Sequence, residues 1–126
     1  MAKMIVVVDG ELVVRKVIQA ILEREGFRVI GLSDPKMALV VIEAAKPVLV
    51  ITNVSLPGMS GHAAMQMYKE CCPELPVLMV SGLPDSRVVQ EWLKQDGFDA
   101  FPKPFTAQQL VKKVKEMIGG TAAMTA

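Results

Sequence analysis

The sequence predicts an α/β fold, a doubly wound parallel sheet of five strands, on three observations. Short β-branched runs bounded by turn residues alternate with segments of helical periodicity along the whole chain, as in Met4 to Val8 followed by Val14 to Leu22. The strand runs are unbroken apolar stretches, the mark of strands covered on both faces. The strand-helix repeat occurs five times, and right-handed crossovers then place helices on both sides of the sheet.

Strand one is Met4 to Val8. Helix one follows with Val14, Val17, Ile18, Ile21 and Leu22 on one stripe and ends at Gly26. Arg28 to Leu32 is strand two. Ser33 or Asp34 caps helix two and Pro35 suits its first turn, with Met37, Val40, Val41 and Ala44 expected to face inward, before Pro47 breaks it. Val48 to Thr52 is strand three. The loop Leu56-Pro57-Gly58-Met59-Ser60-Gly61 leads into helix three, from about His62 to Glu70. Pro76 to Val80 is strand four, and Asp85 or Ser86 opens helix four with Val88, Val89, Trp92 and Leu93. A short strand five lies near Ala100 and Phe101. Thr106 caps helix five, whose stripe is Leu110, Val111, Val114, Met117 and Ile118. The reading gives one domain over residues 1–118 and a disordered small-residue tail over 119–126, starting at Gly119-Gly120.

Composition narrows the function classes. Apolar residues make up 52% and charged residues 21% of the 126, enough for a packed interior. Fourteen basic against thirteen acidic side chains give a formal charge of +1, which disfavours direct nucleic-acid or membrane binding. The apolar runs are far shorter than the ~20 residues of a membrane span. The start Met-Ala-Lys-Met lacks a secretory pattern, so a cytoplasmic location is expected. Cys71 and Cys72 are neighbours, a pairing that strains a structural disulfide and offers too few soft ligands for an expected metal site, and they read as two reduced thiols. His62 stands apart from any ligand cluster and reads as a surface or capping residue. The nine methionines read mainly as core filler. Trp92 is either part of the core or, if exposed, a binding anchor.

In open α/β sheets, function gathers beyond the carboxyl ends of the strands. That rule selects Asp9, Asn53, Ser81 and Lys103. Around them stand Val6-Val7-Val8-Asp9, Asn53-Val54-Ser55-Leu56-Pro57-Gly58-Met59-Ser60-Gly61, Val80-Ser81-Gly82 and Lys103-Pro104-Phe105. Over about residues 4 to 118 this pattern resembles the response-regulator receiver domains of two-component signalling. The resemblance implies a flavodoxin-like strand order 2-1-3-4-5. It also implies phosphoryl transfer from a phosphohistidine to an aspartate, with Mg²⁺ in an acidic cluster and a lysine on the phosphoryl oxygens. Ser81 and Lys103 match the phosphate-sensing hydroxyl and lysine, and Lys103-Pro104 is a candidate cis peptide.

The other positions depart from the family. Asn53 occupies the acceptor position, and a neutral carboxamide with a delocalised nitrogen lone pair forms no acyl phosphate. Gly10 occupies the position of a second acid, leaving Asp9 as the one carboxylate from three; Glu11 is either a substitute ligand or the start of helix one. The aromatic switch position holds Ala100 or Phe101, depending on the gap assumed before Lys103. The resulting expectation is a phosphorylation-independent receiver with no intrinsic catalysis and no cofactor. Asp9 pairs with Lys103 beside Asn53, a vestigial Mg²⁺ site remains at Asp9, and the domain works by contact with a protein partner. That partner is a histidine kinase, an output domain or another receiver, met through helix one or the helix four, strand five and helix five face. A free-standing protein and a piece of a hybrid kinase remain alternatives. One rival is an ordinary Mg²⁺-dependent acceptor receiver in which Asn53 is an engineered change; another is a flavodoxin-like ligand binder, disfavoured because Asp9-Gly10-Glu11-Leu12 offers no phosphate cradle.

Overall fold

A computed structural model describes residues 2–53, 55–81, 98–102 and 106–123. Its elements run β1 (Met4–Val8), α1 (Leu12–Arg24), β2 (Arg28–Leu32), α2 (Pro35–Ala45), β3 (Leu49–Asn53), β4 (Ser55–Leu56), β5 (Met59–Ser60), α3 (Gly61–Cys71), β6 (Val77–Ser81), β7 (Phe98–Pro102) and α4 (Ala107–Ala123). Five parallel strands form one sheet in the order β2-β1-β3-β6-β7, the expected 2-1-3-4-5 order of the long strands. The expected helix around Val88 to Leu93, with Trp92, lies outside the described residues.

The sheet's two faces follow directly from the period of two along each strand. Val6, Val8, Val50, Val77 and Met79 point into a core closed by Ala38 and Ile42 of α2 and Ala64, Met65 and Tyr68 of α3. Their neighbours Ile5, Val7, Leu49, Ile51, Leu78 and Val80 point the other way, against Ile18 and Leu22 of α1 and Leu110, Val114 and Ile118 of α4. Each central strand therefore serves two cores, which is why its sequence shows no polar alternation.

Local signals set the helix ends. Gly26 at φ 92 ends α1, with Phe27 N–H bonded to Leu22 O and Gly26 N–H to Glu23 O, a Schellman pattern. Asp34, rather than Ser33, caps α2 by accepting from Lys36 N–H at 2.9 Å. Pro47 forces the stop of α2, and Lys46 takes the left-handed cap at φ 49. At the start of α4, Thr106 Oγ1 accepts from Gln109 N–H and Gln109 Oε1 accepts from Thr106 N–H, a reciprocal capping box. The expected loop at Leu56 to Gly61 is a small antiparallel hairpin, β4 against β5, turning at Pro57-Gly58 with Gly58 at φ 77. That positive φ after a proline is the requirement of a type II turn. Ser60 then caps α3 by accepting from Ala63 N–H.

Three expectations are corrected. In α2, Met37 and Val40 are exposed, and so is Ala44; Pro35, Ala38 and Ile42 are the buried residues. The run Met37 to Ile42 is apolar on every side, so periodicity alone could not choose the inward face. In α1, Val17 is exposed at 49% while Ile18 and Leu22 are buried. The backbone of α4 stays helical through Gly119-Gly120 to Ala123, past the predicted end at Ile118; each glycine costs a helix only about 1 kcal/mol relative to alanine.

Candidate functional site

The strand register brings the first two site residues together. Val8 of β1 lies beside Thr52 of β3, so the next pair along is Asp9 and Asn53. Both continue the face that carries Ile5, Val7, Leu49 and Ile51. Asn53 Nδ2 donates to Asp9 Oδ1 at 3.4 Å, a long hydrogen bond across the strand ends.

Asp9 is 2% exposed and is held on several sides. Its backbone N–H donates to Leu32 O of β2 at 3.0 Å, and its Oδ1 accepts from Glu11 N–H at 2.9 Å. Arg15 Nη1 donates to the Asp9 carbonyl at 2.7 Å. Arg15 passes beside Gly31 of β2, where a Cβ would lie in ordinary contact, 3.6 Å from Arg15 Cδ. On the opposite face of β3, Thr52 is fully buried and its Oγ1 donates to Asn53 O at 3.2 Å, which fixes the backbone that presents Asn53.

Gly10 leaves room that the β4–β5 hairpin fills. A Cβ on Gly10 would meet Pro57 Cδ at 3.2 Å and Cγ at 3.3 Å, tighter than ordinary van der Waals contact. A second acid here therefore requires the Pro57 ring to yield by a few tenths of an ångström. Glu11 is the exposed N-cap residue of α1, and its side chain makes no capping bond.

Mg²⁺ is the cation that the resemblance implies at this site. This cation demands near-octahedral oxygen coordination at about 2.0 to 2.1 Å, usually through one or two carboxylates. Among the described residues, the strand ends present the Asp9 carboxylate, already accepting from Glu11 N–H, an amide whose nitrogen points at that carboxylate, and no side chain at Gly10. Among the described residues, no group of three His, Cys, Asp or Glu side chains lies together as a metal cage.

Other predicted positions are reached only in part. The backbone of Ser81 ends β6 and pairs with Pro102, while Ala100 and Phe101 pair with Met79 and Val80. Their side chains lie outside the described residues, and Lys103 and Pro104 do so entirely. His62 is the second residue of α3. Sequence reasoning missed Arg15 and Pro57, which reach the site through space. The one available signal for Arg15 was its place four residues after Glu11, on the first turn of α1.

A doubly wound sheet with a buried acid at the end of the first strand, facing the residue that ends the third, is the architecture of a signalling receiver domain. Residues 5–115 match the response regulator receiver domain, and the chain belongs to that family. It is 33% identical over 113 residues to the nitrogen assimilation regulatory protein NtrX of Azorhizobium caulinodans, covering 88% of this chain and 25% of that protein. It is 29% identical to the C4-dicarboxylate transport transcriptional regulatory protein DctD of Rhizobium meliloti, covering 90% and 25%. Among solved structures, NtrX from Brucella abortus in complex with ADP superposes with a TM-score of 0.90 at 30% identity, over 99% of this chain and 29% of that one. A CheY-like receiver domain protein from Methanospirillum hungatei superposes at 0.91 over 98% and 99%; its 24% identity speaks to fold alone. The chain spans between a quarter and a half of the length of these curated relatives and of a transcriptional regulator ycf27 from Cyanophora paradoxa. At the family's acceptor position the chain carries Asn53. Receiver domains work through protein partners, and no helix among the described residues is long and apolar enough to cross a membrane.

Proposed function

We propose that this chain is a phosphorylation-independent receiver of a two-component or phosphorelay system, cytoplasmic, acting by contact with a protein partner. The observation that carries this reading is the Asn53 Nδ2 to Asp9 Oδ1 hydrogen bond at the strand ends. The group that should attack phosphorus is a neutral amide, and it is engaged with the Asp9 carboxylate. Asp9 and Lys103 then form an ion pair alongside it, with no Mg²⁺ and no cofactor, and Ser81 keeps its place without a phosphoryl group to bind. The pocket is held permanently in one state.

The partner is a histidine kinase, an output domain or another receiver. The exposed face of α1 supports contact there: Leu12, Val13 and Val17 are 56%, 73% and 49% exposed at the carboxyl end of the sheet. Val13 and Val17 stand one helical turn apart on α1, and exposed apolar patches mark interaction sites when they are contiguous. Titration with Mg²⁺ and beryllofluoride, followed through the amide resonances of Asn53 and Val80, tests the locked pocket. Unchanged resonances are expected, and saturable shifts at both would refute it. Capture of partners from source cells by the wild type and by Val13→Glu tests the face: a partner lost with the variant supports it, and one captured equally by both removes α1 from the contact.

A further inference from the structure

At the amino end of the sheet, far from Asn53, α3 stops on two adjacent cysteines. Cys71 is its last helical residue and Cys72 is its cap, at φ −135 and ψ 84. Pro73 follows, and a proline ring excludes the preceding residue from the helical region. In a continuing helix the two side chains would diverge by about 100° around the axis. The extended turn at Cys72 instead brings the thiols together, with Sγ to Sγ at 3.4 Å. Both are free and half-buried, on the wall of a groove of about 850 Å³ that Lys3, Glu43 and Leu75 also line.

We propose that Cys71 and Cys72 form a dithiol site for thiophilic trivalent metalloids of the arsenic(III) kind, which take two sulfurs in one chelate. Distance decides between this and a disulfide. A disulfide needs the sulfurs at about 2.05 Å, and it joins Cα atoms usually 4.4–6.8 Å apart, whereas neighbours across a trans peptide are held at about 3.8 Å. A chelate whose bonds match the sulfur–zinc length of about 2.3 Å, with an angle of about 95 to 110° at the centre, places its sulfurs about 3.4 to 3.8 Å apart. The thiols already stand at that spacing. Cys71 is also a poor target for agents that attack a single thiolate: its thiol is pushed up to about 11 by its hydrogen bond with Cys72, then by burial and the charges of Cys72 and Glu43.

The reaction balances without a redox partner. With an organoarsenic(III) dihydroxide, two S–H and two As–O bonds break, two As–S bonds form, and two waters leave with the thiol protons. Arsenic stays trivalent and no oxidant is consumed.

The test is intact-mass measurement of the reduced full chain with one equivalent of phenylarsine oxide, challenged with excess glutathione and then with a dithiol. The expected result is one adduct per chain, mapped to the peptide containing Cys71 and Cys72, that survives glutathione and is released by the dithiol. C71S and C72S should each lower retention by roughly 100-fold or more, since the second sulfur acts as a tethered ligand. P73A keeps both thiols but frees Cys72 to become helical, so it should also weaken retention, with circular dichroism of each variant as the folding control. Stripping of the wild-type adduct by glutathione, or wild-type retention in folded C71S or P73A, overturns the proposal.

Discussion

Replacing Asn53 with aspartate restores the family's acceptor carboxylate while changing almost no volume, so its effect is electrostatic. The new carboxylate would stand about 3.4 Å from Asp9 Oδ1, where Asn53 Nδ2 now donates. At an effective dielectric of about 20, two unit charges at that distance repel by about 5 kcal/mol. Asn53 is half-buried, and turning the new group toward water recovers part of this, leaving about 2 kcal/mol. Two like charges this close make the folded pair hold its last proton more tightly than the unfolded chain does. The penalty is accordingly absent when the pair is protonated at acid pH and grows as pH rises toward neutrality. Urea unfolding of N53D and wild type at matched pH values measures it as a gap in midpoint at constant slope. Equal stability at neutral pH, or a gap that does not close on acidification, would refute the reasoning.

Three further outcomes follow from buried groups and helix ends. Tyr68 is fully buried and its hydroxyl donates to Pro35 O at 3.0 Å, so Y68F should cost about 1 kcal/mol in urea unfolding. Burial, with the Asp34 charge second, raises the Tyr68 pKa above its ordinary value of 10.0; the wild type should therefore lose stability as pH rises above about 10, and Y68F should lose less. Lys46 holds a left-handed conformation at φ 49, so K46G should raise stability by about 0.5 to 1 kcal/mol, read as a higher thermal midpoint. Gly10→Asp meets the Pro57 ring at 3.2 Å, so it should destabilise the native chain by about 1 kcal/mol, and Pro57→Ala added to it should recover part of that loss.

The strands were legible because each central one is apolar on both faces and bounded by turn residues, and the two cores behind Val6 and Val7 follow from strict alternation. The inward face of α2 was not legible: six successive apolar residues from Met37 to Ile42 carry no phase, and contact with α3 selects Ala38 and Ile42. The pairing of Asp9 with Asn53 was readable from the strand-end rule once the order 2-1-3 was assumed. Arg15 over Gly31 and Pro57 over Gly10 were hidden because each joins segments that meet only through the sheet crossing. Cys71 and Cys72 read as two ordinary reduced thiols because adjacency strains a disulfide and two soft ligands are few for a metal site. Their 3.4 Å spacing depends on the cap conformation that Pro73 imposes.

The claim that this receiver has left phosphoryl chemistry stands or falls on Asn53. Incubation of the wild-type chain with a small-molecule phosphodonor and Mg²⁺, read by intact mass and peptide mapping, tests it most directly. The expected spectrum shows no gain of one phosphoryl mass, with G10D/N53D gaining it under the same conditions as the positive control. A stoichiometric gain in the wild type, mapped to the strand-end pocket that holds Asp9 and Asn53, would contradict it.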